Sequence, residues 1–156
     1  MPKITPFLWF HDQAEAAVDF YVSVFPNSRI TRVLRTTAEG PGPEGSVLAI
    51  DFELDGQPVT ALNGGPYQTL SEAFSFVVHA RDQAEVDRYW EALSEGGQTN
   101  VCGWTKDRFG LSWQVVPDGF LDLMADPDPQ RAARAMRAMM QMTKLEIGKL
   151  REAVAG

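Results

Sequence analysis

The tetrapeptide Asp-Gln-Ala-Glu occurs twice in the chain, at 12–15 and at 82–85. Each copy lies between an apolar run of strand length and a stretch whose apolar residues recur at three- and four-residue spacing, which is typical of an amphipathic helix. Aspartate is a favoured N-cap residue, and a glutamate three residues later can complete a capping box. We therefore predict two helices, one capped by Asp12 and one by Asp82. The repeat favours a fold that uses the same strand-helix unit twice.

Strand patterns surround both predicted helices, and the pattern at 47–54 alternates, with Leu48, Ile50, Phe52 and Leu54 on one face. The Asp55-Gly56 dipeptide is a strong hairpin signal between two of the strands, and a tight turn is predicted over 107–110. The second half reads βαββ, or βαβββ if a further short strand lies near Thr105. The strand-like segments are 4–10, 29–35, 47–54, 57–63, 74–79, 98–104 and 111–116. Each half therefore fits a βαβββ module, the first over about 3–63 and the second over about 74–118. Since neither module alone has enough surface to bury, we predict a single domain over 1–156.

The segment after the second module predicts one C-terminal helix over about 128–155. Asp128 is a suitable N-cap, and Pro129 suits the first helical position. The apolar stripe of this helix is rich in methionine, which packs adaptably. Its members are Met136, Met139, Met140, Thr143, Ile147, Leu150 and Val154. The pattern leaves two alternatives open, in which the stripe covers the chain's own sheet or a partner subunit.

Charge and composition exclude several classes of function. The net charge of −7 disfavours nucleic-acid binding, since no cluster of lysine and arginine offsets it. No apolar run approaches the roughly 18 residues needed to cross a membrane. The single cysteine, Cys102, cannot form an internal disulfide and is expected to be a small buried apolar residue. Without a secretory leader pattern, we expect a cytoplasmic protein.

Two familiar motifs give no site. The segment 40–45 matches Gly-x-Gly-x-x-Gly, but two of its positions are prolines without an N–H, and a strand follows it instead of a helix. We interpret it as a mobile loop rather than a nucleotide-binding loop. The two histidines, His11 and His79, have no metal-binding spacing.

The stretch 102–117 carries the most specific chemical signal. Alternation in its last strand places Trp113 and Val115 on one face and Ser112, Gln114 and Val116 on the other. The first face is predicted to be core, whereas the second is partly polar. A buried glutamine has two donors and an acceptor that need partners, so Gln114 is expected to line a wet cavity or a ligand site.

These features together resemble the vicinal-oxygen-chelate superfamily of glyoxalases and bleomycin-resistance proteins. The resemblance is carried by the two modules, by the opening PFLWF and AEAAVDFY segments, and by CGWTKDRFGLSWQVVP at 102–117. Within the superfamily the chain is similar to the PhnB-like branch, often labelled 3-demethylubiquinone-9 3-methyltransferase. The resemblance implies an α+β fold in which two βαβββ modules form a curled mixed sheet cup with helices on its outer face. It also implies a homodimer.

In the metalloenzymes of this superfamily a divalent metal is held in the cup, mainly by histidine and glutamate. The resemblance places Pro6 (or Thr5), Ala61, Ser75 and Gln114 at the ligand positions. Of these, only the glutamine is a plausible ligand, so we expect no metal and no other cofactor. The methyltransferase label is also not supported, because no segment is suited to an adenosyl cofactor.

We therefore expect a small-molecule binding protein without the usual metal centre. The alternative is an enzyme, a lyase, transferase or isomerase, with Asp51 or Glu53 as base and Gln114 or Arg108 holding an oxyanion. The sequence specifies neither the ligand nor the catalytic residues. The residues expected to line the binding site are Gln114, Ser75, Asn63, Asp51, Trp104 and Arg108.

Overall fold

The computed structural model describes residues 2–156, which fall into two compact units. The first unit ends at Leu70 and the second begins at Ser71. The boundary lies between the two predicted modules, and the C-terminal segment belongs to the second unit. The predicted α+β class with two βαβββ modules is confirmed. No helix of the described residues is long and apolar enough to cross a membrane.

The first unit is a four-stranded mixed sheet with one helix. The elements are β1 Phe7–Phe10, α1 Ala14–Val24, β2 Arg29–Arg35, β3 Val47–Leu54 and β4 Gln57–Asn63. Strand β1 runs parallel to β4, and the remaining neighbours are antiparallel, giving the order β1-β4-β3-β2. The predicted hairpin is confirmed, since Leu54 pairs with Gln57 and both residues between them have positive φ. Strand β1 is shorter than predicted, because Pro6 has no N–H to donate.

One face of this sheet forms the core of the first unit. The alternation predicted for β3 is confirmed, with Ile50 and Phe52 almost fully buried. Helix α1 contributes Ala17, Val18 and Tyr21, all fully buried. The opposite face of β3 carries the charged side chains. This arrangement follows from the period-2 pattern of the strand and the helical spacing of α1.

The two Asp-Gln-Ala-Glu copies begin their helices in different ways. The prediction for Asp82 is confirmed, because its carboxylate accepts a hydrogen bond from the Glu85 amide at 2.9 Å. The prediction for Asp12 is wrong, because the N-cap of α1 is Gln13, which makes no side-chain cap bond. Instead, Asn63 at the end of β4 accepts from the Ala14 amide at 2.9 Å. The β1-β4 pairing brings Asn63 to the start of α1. Its side chain there takes the role that was predicted for Asp12.

Replacing Asn63 with alanine is expected to lower the free energy of unfolding by about 1–2 kcal/mol, because the start of α1 loses its cap. The Asn63 amide also donates to Glu15 Oε1 at 2.9 Å and to the Val47 carbonyl at 3.0 Å, and those bonds are lost as well. Asp12→Ala is the matched control and should change stability by less than about 0.5 kcal/mol. Urea denaturation measures both, and a larger loss in Asp12→Ala would contradict this account of the cap.

The second unit repeats the arrangement and adds three helices. Its elements are β5 Ser75–Ala80, α2 Gln83–Ser94, β6 Gln98–Thr99, β7 Trp104–Lys106, β8 Ser112–Pro117, α3 Phe120–Met124, α4 Pro129–Met139 and α5 Ile147–Ala155. The sheet has the order β5-β8-β7-β6, with β5 parallel to β8. The short strand expected near Thr105 is confirmed as β7. The strand predicted over 98–104 is divided, because the chain turns between β6 and β7.

The single helix predicted over 128–155 is wrong, since the structure has two helices separated by residues 140–146. The cap at its start is confirmed, because Asp128 accepts from the Gln130 amide at 2.9 Å. Between α4 and α5, the Met142 and Thr143 carbonyls accept from the Cys102 and Gly103 amides, both at 2.8 Å. These bonds to the β6-β7 connection replace the helical ones, which explains the break.

The C-terminal segment packs on the second unit. Leu145 and Leu150 are fully buried in a cluster with Val116, Phe120 and Met142. Of the two alternatives left open by the sequence, the structure shows part of the stripe folding back on its own chain, since Leu150 belongs to this cluster and Met139 and Ile147 pack against it. The stripe is not wholly covered, however, because 61% of Met140 and 44% of Met136 remain exposed. Cys102, predicted to be buried, is half-buried.

Candidate functional site

Five side chains form a polar face on the second sheet, on the side opposite Trp113 and Val115. The register of the strands places them there, because Ser112 pairs with Ser75 on one side and Lys106 on the other, and Gln114 pairs with Trp104. Residues paired in this way project from the same side of a sheet. We call this surface the polar face. It consists of Ser75, Trp104, Lys106, Ser112 and Gln114.

Gln114 and Ser75 are joined at the centre of the polar face. The Gln114 amide Nε2 donates a hydrogen bond to Ser75 Oγ at 3.0 Å, and both side chains are half-buried. This bond fixes the orientation of the amide, whose oxygen remains an acceptor. Trp104 is the register partner of Gln114 on the neighbouring strand. The structure thus brings together three of the predicted site residues, Gln114, Ser75 and Trp104.

A small polar cavity of about 80 Å³ adjoins the polar face. Lys106 forms an ion pair with Glu72, a residue of the loop that precedes β5. Ser112 reaches the same cavity, with 1% of its surface exposed. The residues around the cavity are Glu72, Gln98, Asn100, Trp104, Thr105, Lys106 and Ser112. Sequence reasoning missed all of these except Trp104, although Ser112 lies on the face that alternation assigned to Gln114.

The turn that joins β7 to β8 is built around a buried carboxylate. Asp107 Oδ1 accepts from the amides of Phe109 and Leu111 at 2.9 and 3.1 Å, and Oδ2 accepts from Trp113 Nε1 at 2.8 Å. The Asp107 side chain is 2% exposed. Since it ties the turn to the core tryptophan, it holds the two strands that carry Lys106 and Ser112 in register. The sequence indicated a turn here but not this role of Asp107.

Arg108 lies on the same turn. Its guanidinium carbon is 4.7 Å from the centroid of the Phe109 ring, which is a cation–π distance. Its side chain also lies beside Gly96, just after α2. These two contacts are with residues outside the polar face.

Asp51 and Glu53 lie in the first unit, on the face of β3 opposite the core. Asp51 Oδ1 accepts from the Thr60 hydroxyl at 2.6 Å, and Oδ2 is 2.7 Å from a guanidinium nitrogen of Arg32. Glu53 is paired with Arg29 at 3.1 Å. Both carboxylates are thus engaged in ion pairs between β2 and β3. These ion pairs stabilise the register of β2 against β3.

The first unit has a cleft of about 530 Å³ beside the start of α1. Asn63 borders it, but the amide of Asn63 is already bonded to the helix start, to Glu15 and to Val47. His11 and Tyr67 also line the cleft, and 80% of Tyr67 is exposed. Within residues 2–156, no group of three or more His, Cys, Asp or Glu side chains could hold a metal ion.

The repeated strand-helix-strand units define the class of fold. The chain resembles the PhnB protein from Bacillus cereus, which carries a 3-demethylubiquinone-9 3-methyltransferase label, with 32% identity over 74% of this chain and 99% of the other, at a TM-score of 0.69. A protein from Pseudomonas aeruginosa is 21% identical, with 75% and 98% of the two chains covered and a TM-score of 0.62. The fosfomycin resistance protein FosX from Mesorhizobium loti is 14% identical, with 74% and 92% covered and a TM-score of 0.52. The class is the vicinal-oxygen-chelate superfamily.

Within that class, the chain belongs to the family described as 3-demethylubiquinone-9 3-methyltransferase, whose model matches residues 2–116. Among curated proteins, none gives a significant match. The family match ends within β8, so α3, α4 and α5 lie beyond it. The C-terminal segment therefore lies outside the matched residues.

Proposed function

We propose that the chain binds a small molecule on the polar face without a divalent metal. The observation that carries this proposal is the bond between Gln114 and Ser75, which orients the Gln114 amide on the strand next to Trp104. An oriented polar group next to an aromatic surface is a common arrangement in small-molecule sites. The polar group would set the orientation of the ligand, and the indole would provide apolar contact area.

The side chains at the expected metal positions do not fit a metal. Pro6 and Ala61 carry no side-chain ligand atom, Thr5 in place of Pro6 would add only a hydroxyl, and Ala61 is fully buried in the core of the first unit. Ser75 and Gln114 use one another as hydrogen-bond partners. A divalent transition metal needs several nitrogen, oxygen or sulfur donors with good geometry, and this set provides at most two hydroxyls and one weak amide. This supports binding through hydrogen bonds.

The same reasoning speaks against the methyltransferase activity in the family's description. The glycine-rich loop at 40–45 connects β2 to β3 and leads into a strand. Its backbone is used internally, since the amides of Thr36 and Gly45 donate to the carbonyls of Ser46 and Thr36, each at 2.9 Å. A nucleotide-binding loop instead directs its amides to the ligand from the start of a helix.

The enzymatic alternative has less support than binding. Both of its candidate bases are engaged in ion pairs, Asp51 with Arg32 and Glu53 with Arg29. Of its candidate oxyanion donors, Gln114 donates to Ser75 and Arg108 lies over Phe109. A screen of glyoxalase, thiol-transfer and epimerase substrates tests it. Turnover that is lost in Asp51→Asn or Gln114→Ala would favour the enzyme.

A thermal-shift screen of small polar and aromatic molecules tests the binding proposal. A ligand at about one hundred times its dissociation constant stabilises the folded state by about 2.7 kcal/mol, which raises the melting temperature by several degrees. The shift should disappear in Gln114→Ala and persist in Gln141→Ala, an exposed glutamine beyond the family match. Stoichiometric zinc, nickel, manganese or iron in protein purified without added metal, with binding lost on chelation, would contradict the proposal.

We also propose that the chain forms a homodimer. Strand β2 is an edge strand, and every one of its residues is exposed, including 44% of Val33 and 51% of Leu34. An exposed edge with apolar side chains is a surface that proteins normally cover. Light scattering is expected to give twice the chain mass, and substituting Leu34 with lysine should shift the mass toward that of one chain. A monomer for the unaltered chain would show that this proposal is wrong.

A further inference from the structure

We propose that the cavity beside Ser112 binds a carboxylate group of the ligand, and that the Glu72 carboxylate takes its place when no ligand is bound. The inference rests on the proposed function of the polar face and names the chemical class of its ligand. The observations that carry it are an unpartnered hydroxyl, an excess of donors and an ion pair at the cavity.

The hydroxyl of Ser112 is the first of these observations. It is the one buried side-chain nitrogen or oxygen among residues 2–156 that has no hydrogen-bond partner. A buried polar group without a partner destabilises a fold, so native proteins rarely keep one without a reason. Because Ser112 lines the cavity, a group bound there can supply the missing bond.

The second observation is the balance of hydrogen-bonding groups around the cavity. Lys106 provides an ammonium group, and Gln98 and Asn100 provide side-chain amides. The oxygen of Asn100 already accepts from the Val101 amide at 2.8 Å, so its NH₂ group is the part left to bind a ligand. The hydroxyl of Ser112 can donate as well. A set dominated by donors, one of them charged, matches an acceptor with negative charge.

The third observation is the ion pair between Lys106 and Glu72. The hydrogen bond from Lys106 holds the pKa of Glu72 below its ordinary value, so this carboxylate is charged and accepts as a ligand carboxylate would. Glu72 belongs to the loop before β5, and 55% of its side chain is exposed. An exposed ion pair contributes little to stability. A carboxylate that also bonds to Ser112 can therefore displace Glu72 readily.

The size of the cavity limits what enters it. A volume of about 80 Å³ admits more than one water-sized group but is far smaller than a complete ligand pocket. The ligand would thus place only its carboxylate beside Ser112. The rest of the molecule would extend over Trp104, which lines the cavity and also belongs to the polar face. This geometry favours a small aromatic or unsaturated carboxylic acid.

Benzoate and benzamide are a matched pair of probes, since they share shape and differ in charge. Isothermal titration calorimetry is expected to show benzoate binding at least about tenfold more tightly than benzamide. Lys106→Met should weaken benzoate binding by about tenfold, whereas Glu72→Gln should strengthen it several-fold because the competing carboxylate is removed. Lys149→Met is the control, since Lys149 pairs with Glu146 in a separate surface contact and should leave binding unchanged.

Ser112→Ala separates a binding role from a structural one. It should weaken benzoate binding several-fold while leaving the melting temperature unchanged or higher, because the hydroxyl has no partner to lose. Equal binding of the two probes, or no effect of Lys106→Met, would overturn the carboxylate subsite. So would an absence of benzoate binding at millimolar concentration, or a benzoate-soaked crystal with only water beside Ser112 and Glu72 still on Lys106. The proposed function is judged separately, by ligands whose binding requires Gln114.

Discussion

Asp107→Ala is expected to lower the free energy of unfolding by about 4 kcal/mol, the largest effect of any single substitution proposed for this chain. The carboxylate is 2% exposed and accepts hydrogen bonds from two backbone amides and from the indole N–H of Trp113. Alanine would leave all three donors without this acceptor in the interior. Each loss costs about 1–3 kcal/mol, and the costs do not add fully because the turn can relax. Urea denaturation followed by tryptophan fluorescence measures the change.

Two further variants make this expectation specific. Asp107→Asn keeps one side-chain oxygen, so it should lose about half as much stability as alanine. Asp118→Ala removes an exposed aspartate from the end of β8 and should change stability by less than about 0.5 kcal/mol. If Asp107→Ala costs less than about 1 kcal/mol, the turn does not depend on the carboxylate, and the register of β7 and β8 must be held by other contacts.

Leu145→Ala is expected to lower the free energy of unfolding by about 3 kcal/mol. Leu145 is fully buried, and its side chain lies against Gly103, where a Cβ atom would come within 2.9 Å of it. Removing it would leave a cavity between the C-terminal segment and the second sheet. The segment is also fastened by Gln83, whose amide donates to the Leu145 carbonyl at 3.0 Å and accepts from the Ile147 amide at 2.9 Å. Loss of packing should therefore not detach it completely.

Met140→Ala is the matched control, because Met140 belongs to the same C-terminal segment but is 61% exposed. It should change stability by less than about 0.5 kcal/mol. A small effect of Leu145→Ala would mean that residues 117–156 are attached to the family fold without stabilising it. The expected large effect would instead make this addition an integral part of the second unit.

Much of the fold could be predicted from local patterns. The alternation of Ile50 and Phe52, the Asp55-Gly56 turn and the cap at Asp82 each depend on residues close together in the chain, and all three predictions are confirmed. Predictions from local patterns were wrong where residues distant in the chain form the hydrogen bonds instead. Asp12 has the spacing of a cap, but Asn63 reaches the same helix start through the β1-β4 pairing. The predicted C-terminal helix is interrupted because the Cys102 and Gly103 amides donate hydrogen bonds to the Met142 and Thr143 carbonyls.

The candidate site was predictable to a similar extent. Alternation placed Ser112 and Gln114 on one face, and the family resemblance suggested Ser75. The roles of Lys106 and Glu72 could not be predicted, because they depend on the register of β7 against β8 and on the path of the loop before β5. Neither is encoded by a short motif. Asp107 was placed in a turn, but only the packing of Trp113 shows what its carboxylate binds.

The cap on α1 has a consequence for how the chain folds. Asp82 caps α2 from three residues away, so the first turn of α2 can form with its cap while the rest of the chain is still unfolded. Asn63 is 49 residues from Ala14, so α1 receives its cap only after a long loop has closed and β4 lies beside β1. Nucleation of α1 is thus tied to assembly of the first sheet, whereas α2 can nucleate early. The same tetrapeptide therefore precedes two helices that begin differently. Helix α2 is capped by a residue beside it in the chain, whereas the cap of α1 requires the first sheet to have formed.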